Sequence, residues 1–202
     1  MKKLSGVSRM ALLMTAMLAA FQIVSGIEGT PILSGVYYTI SFGVLLVAAL
    51  LLILFGFEIM EFPAIAVIAT IIPNALSLGL VAQYLPEYHI SYLAVVLIEL
   101  LSMAVSRYFS SSKQIITIVT SITHGTAGLI IFIFPLWLSI AGTTKPIFSL
   151  VGAGGALIGS GGLLLAFLKA GKPILSRDTI FSILPVILLV MTAAFVVGMT
   201  AG

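Results

Sequence analysis

The chain has 202 residues, of which 61% are hydrophobic and 7% charged, with a formal net charge of +3, a mean hydropathy of +1.30 and no cysteine. So little charge cannot cover a water-facing exterior, which excludes a soluble domain and makes lipid the solvent. The missing thiols exclude disulfides, thiolate metal centres, iron–sulfur clusters and a cysteine nucleophile.

Seven apolar runs follow one another, over residues 8–27, 35–60, 62–85, 90–108, 115–141, 146–169 and 178–201. Each is near the length of about 20 residues that carries a helix across a hydrocarbon core of about 30 Å. The runs are continuous rather than alternating, and too long for barrel strands. The expected fold is an all-α bundle of seven transmembrane helices forming a single domain over 1–202. In the first run, Lys2, Lys3 and Arg9 precede the apolar stretch and Ser25-Gly26 resembles a cleavage site, yet we read it as a retained helix rather than a leader. Gly29-Thr30-Pro31, Glu61-Phe62-Pro63, Pro86 to His89, Ser110 to Lys113, Gly142 to Pro146 and Gly171 to Pro173 supply the breaks. Links this short make successive helices antiparallel neighbours.

That threading sorts the charges. Lys2, Lys3, Arg9, Arg107, Lys113, Lys169, Lys172 and Arg177 fall at one end of the bundle and Lys145 at the other. The bias of basic residues toward the cytoplasm places the N-terminus inside and the C-terminus outside, in a plasma membrane. Six helices would scramble the pattern. It also accounts for the positive charge without nucleic acid, which is not an expected partner. Tyr84, Tyr88, Tyr92 and Trp137 gather at the expected outer interface, as an aromatic belt does.

The informative residues are those that lipid disfavours. Asn74 in the third helix, Glu99 in the fourth and His124 in the fifth all fall within about 4 Å of the bilayer middle at a rise of about 1.5 Å per residue. Each heads a polar stripe: Thr70, Asn74 and Ser77; Glu99, Ser102 and Ser106; Thr117, Thr120, Ser121, His124 and Gly128. A carboxylate at mid-bilayer costs about 2.5–3.5 kcal/mol even on the lenient insertion scale. Glu99 is therefore expected inside the bundle with His124 as its partner, the pair sharing a proton or holding a small cation, and Asn74 serving as a ligand or gate. Pro73, beside Asn74, lacks an N–H and is expected to kink or break the third helix there.

The sixth helix carries Gly152, Gly155, Gly159 and Gly162 on one face, a surface that lets another helix approach closely, from this chain or from a second copy. No Gly-Lys-Ser/Thr follows, so it is no phosphate loop. His89 is assigned to the outer loop and His124 to mid-depth, which prevents the two from bracketing one haem. The last helix has no lysine for a retinal Schiff base, and no metal-ligand spacing occurs. No metal and no cofactor are expected. One enzymatic arrangement can be drawn, a Ser160–His124 dyad, but Ser160 has only a generic glycine context, and the chain is not expected to be an enzyme.

Two functions fit these features. The first is a small channel or secondary transporter, proton-linked through Asn74, Glu99 and His124. The alternative is a non-catalytic membrane subunit of a larger multisubunit complex, such as a respiratory one. The partners expected are membrane lipid and either a second copy or other membrane subunits.

Overall fold

The computed structural model describes residues 4–200; Lys2, Lys3 and the side chain of Lys169 lie outside the described residues. Among those residues seven helices are each long and apolar enough to cross a membrane. They are α1 (Gly6–Ser25), α2 (Ile32–Phe55), α3 (Pro63–Tyr84), α4 (His89–Phe109), α5 (Lys113–Ile140), α6 (Ser149–Lys169) and α7 (Arg177–Met199). Their outward surface is apolar: Val24, Ile32, Phe109 and Ile140 are each more than 80% exposed. Water would not tolerate so continuous an apolar exterior, whereas lipid does.

Local signals set the helix ends. Ser5, Ser112 and Ser176 each accept a hydrogen bond from a backbone N–H three residues on, satisfying a donor that the first turn leaves open. The second helix stops earlier than its hydropathy implies. Gly56 adopts φ +69° and its N–H returns to the Leu52 carbonyl, and Gly56–Glu61 continues as a 3-10 turn. Residues 56–60 are apolar enough to read as helix, but only a glycine takes the left-handed angle that ends one. The expected break at Pro73 is not seen, since α3 stays α-helical from Pro63 to Tyr84. Neighbouring helices make an internal proline tolerable in a membrane bundle, and Ser41 of α2, which donates to the Ile72 carbonyl at 2.8 Å, ties α3 to α2 beside it.

The helices α1, α2, α3, α5, α6 and α7 close a ring in that order, and α4 packs outside it across α3 and α5. Burial agrees: 61% of the spanning window of α3 is buried, against 22% for α4. The end of the bundle where α1 begins also holds Arg9, Arg107, Lys113, Lys172 and Arg177, and is called the basic end here. The other half of the ring is tightly filled. Tyr38, Phe42, Leu76, Leu80, Ile131, Phe148, Val151 and Phe195 belong to one buried cluster there.

Glycines let α5 and α6 approach each other backbone to backbone. A Cβ on Gly155 would stand 2.7 Å from backbone atoms of Ile131 and Phe132, and one on Gly152 would stand 2.7 Å from the Phe132 carbonyl oxygen. A Cβ on Gly128 would lie 3.4 Å from Gly159 Cα, and Gly162 lies under the His124 ring. The glycine face of α6 is thus occupied by α5 of the same chain. A Cβ added at Gly159 itself meets nothing within 4 Å. Gly155→Ala should therefore cost about 1–3 kcal/mol, seen as a fall of several degrees in the melting temperature of the detergent-solubilised protein. Gly159→Ala should leave it level or raise it, because alanine is the better helix former by about 1 kcal/mol. Equal melting temperatures for the two variants would refute this packing.

Candidate functional site

Two features flank α5. The first is a polar seam where α3, α4 and α5 meet. The α4 face that enters it carries Tyr92, Val96, Glu99, Met103 and Ser106 at helical spacing, four of them buried and Tyr92 partly so. Tyr92 donates to Ser77 Oγ of α3 at 2.9 Å, and Ser77 in turn donates to the Asn74 carbonyl at 3.0 Å. Farther toward the basic end the Glu99 carboxyl faces the Thr126 hydroxyl of α5. Farther still Arg107 donates from Nη2 to Thr120 Oγ1 at 3.1 Å.

The seam is not fully satisfied. Asn74 is 1% exposed, and neither Oδ1 nor Nδ2 has a partner; Glu99 is 8% exposed, and its Oε2 has none. Buried polar atoms normally find partners. Here four without one, Arg107 Nε being the fourth, sit on two packed helices. The Tyr92–Ser77 contact sets the register of those helices, and a rise of about 1.5 Å per residue then separates Asn74 and Glu99 by about 6 Å in depth.

The second feature is a half-enclosed cavity of about 360 Å³ inside the ring. It occupies the half nearest the basic end, from Met191 and Gly43 at mid-depth to Ile59 and Met60 in the 3-10 turn. One wall is α2 and α3, the other α6 and α7, and the packed cluster forms its floor. Among the described residues every lining side chain is aliphatic, methionine, proline or glycine except His124. Beyond the cavity, at the basic end itself, Arg177 of α7 pairs with Glu61 at 2.9 Å and lies over the Phe181 ring, which stacks on Phe57 at 4.7 Å.

The three midplane residues of the sequence are therefore divided. Asn74 and Glu99 belong to the seam. His124 belongs to the cavity wall, with Nδ1 bonded to the Thr120 carbonyl at 3.0 Å and no hydrogen bond to Glu99. The reason is rotation. Glu99 meets α5 at Thr126, two residues and so about 200° around the helix from His124. The Ser160–His124 dyad does not form either: Ser160 is exposed and donates to the Leu157 carbonyl of its own helix at 3.0 Å. His89, expected in a loop, is the first residue of α4, buried, with Nε2 2.9 Å from the Tyr37 hydroxyl. Tyr92, expected in the aromatic belt, lies in the seam. Arg107, expected at the surface for topology alone, is a seam residue, and its spacing of i+8 from Glu99 is the signal that identifies it.

No protein-family model matches the sequence, and neither the curated proteins nor the solved structures contain a significant match to it. The reading of function rests on the site itself.

Replacing an unpartnered buried amide by a hydrocarbon of similar shape removes a desolvation cost of about 1–3 kcal/mol. Asn74→Leu should therefore hold or raise the melting temperature in detergent. A fall of several degrees would reveal a structural partner for the amide.

Proposed function

We propose that the chain is a small secondary transporter, proton-linked at Glu99, with the central cavity as its substrate site. The observation that carries this reading is the one-sided filling of the ring: a cavity in one half and a sealed core in the other. A subunit that serves only to anchor or to pack needs no such space, whereas a carrier that alternates access needs it on one side at a time. Asn74 and Glu99 supply the second ingredient, buried polar groups that lipid disfavours and packing does not require.

The hydrogen bonds around Glu99 suit a group that takes up and releases a proton. The Thr126 hydroxyl has one proton, and the Ile122 carbonyl lies 3.0 Å away to receive it. That one proton can go to the Ile122 carbonyl or to an ionised Glu99, not to both. When Glu99 ionises, the hydroxyl must turn from Ile122 to serve it. The proton thus moves a bond between α4 and α5. On this reading the basic end faces the cytoplasm of a plasma membrane, which places the N-terminus inside and the C-terminus outside.

The alternative, a non-catalytic subunit of a larger complex, drew support from the glycine face as a docking surface, and α5 occupies that face within the chain. Two measurements decide between the readings. Reconstituted into liposomes with an internal pH dye and a potassium diffusion potential, the wild-type protein should pass protons, and Glu99→Gln should abolish the flux while eluting as a folded species of unchanged mass. Flux unaffected by Glu99→Gln would remove the proton role. Gentle extraction that yields the chain only within an assembly of unlike subunits would favour the alternative.

A further inference from the structure

The two ring nitrogens of His124 are not equivalent. Nδ1 lies 3.0 Å from the carbonyl oxygen of Thr120, one turn back on α5. A carbonyl can only accept, so this contact fixes the proton on Nδ1. In a neutral imidazole, the form an ordinary histidine takes at pH 8, Nε2 is then a bare acceptor. The His124 side chain makes no other hydrogen bond among the described residues. With Nδ1 turned back to its own helix, Nε2 occupies the opposite edge of the ring. The glycine at 162 makes room for the ring: a Cβ there would lie 2.7 Å from Cδ2 and 3.2 Å from Cγ.

Among the described residues the other side chains that line the cavity are hydrocarbon or thioether, in a volume of about 360 Å³ that suits one small ligand. A molecule entering it meets one polar side chain, and the free nitrogen of that side chain accepts. Among the described residues of the walls a charged molecule finds no counter-charge. An ether or ketone of matching shape would set a lone pair against a lone pair and leave both unsatisfied.

We infer that the cavity binds an apolar molecule with a single hydrogen-bond donor, an alcohol or a phenol, its donor on His124 Nε2 and its hydrocarbon against α2, α3, α6 and α7. This deepens the transport reading and rests on it in one respect, that the cavity is the substrate site.

Matched probes test it: 4-butylphenol and its methyl ether, 4-butylanisole, titrated calorimetrically at pH 8 into the protein in lipid nanodiscs, with empty nanodiscs as reference. The phenol should bind about tenfold more tightly, the factor that corresponds to about 1.4 kcal/mol. The preference should vanish in His124→Leu and survive in part in His124→Gln, whose amide oxygen accepts. Ala69→Phe, which fills the cavity from α3, should abolish binding of both probes. Equal affinities of the two probes for the wild-type protein would overturn the donor preference and leave the cavity as an apolar site. Binding of neither probe would overturn this inference, while the transport reading would still stand or fall on the proton flux of wild type against Glu99→Gln. A phenol preference that persists in Ala69→Phe would place the probe elsewhere and overturn the assignment to His124. The wild-type comparison stands even where a variant fails to fold.

Discussion

The backbone contact between α5 and α6 is the constraint on which the site depends. Lipid gives helices no hydrophobic reason to associate, so close van der Waals approach must hold them together. Gly152 and Gly155 let α6 reach the α5 backbone at Ile131 and Phe132. That approach fixes more than a distance. Continued one and two turns along, the same face brings Gly159 to Gly128 and Gly162 under His124, so the rotation of α5 about its own axis is set. Once His124 is turned to α6 and the cavity, Thr126, about 200° around the helix, is left to meet Glu99 on α4. One packing face therefore decides which polar groups share a compartment.

The seam and the cavity follow opposite rules of satisfaction. In the seam polar atoms are plentiful and some lack partners. In the cavity they are absent save one. Interhelical hydrogen bonds in membranes contribute only about 0.6 kcal/mol each on average, so the Tyr92–Ser77, Glu99–Thr126 and Arg107–Thr120 contacts hold α4 with modest strength. The position of α4 outside the ring is consistent with that: it can shift against α3 and α5 without parting the helices that enclose the cavity.

Depth along the bilayer was legible in the sequence, and rotation was not. Hydropathy located seven spans to within a few residues, because crossing a fixed thickness sets length directly. The same counting put Asn74, Glu99 and His124 at similar depth. It could not tell which way α5 faces: the stripe Thr117, Thr120, Ser121, His124 and Gly128 covers about 100° of the helix, and only contact with α6 decides which neighbours it meets. Arg107 was hidden by a rule that works too well: a basic residue near a helix end satisfies topology and invites no second question. Gly56 was missed because a single left-handed glycine leaves no trace in hydropathy. Pro73 misled in the other direction, since the effect of a proline depends on what neighbouring helices supply.

On the transport reading proposed above, Glu99 and the cavity lie on opposite flanks of α5, so a proton and a substrate would not meet and any coupling between them would be mechanical. The glycine contact binds α5 to α6, so a displacement of α5 by a change at Glu99 carries α6 with it. Since α6 and α7 make one wall of the cavity and α2 and α3 the other, that displacement changes the width of the space between the walls. At the basic end the two walls are joined by the Arg177–Glu61 pair and the Phe57–Phe181 stack, and the charged side chains of that pair are 59% and 67% exposed. An ion pair so open to solvent contributes at most about 1 kcal/mol, and an aromatic pair adds about as much again. The clasp is therefore strong enough to prefer one width and weak enough to yield when a bond to Glu99 is made or lost, which is the energetic scale that a proton-driven carrier requires.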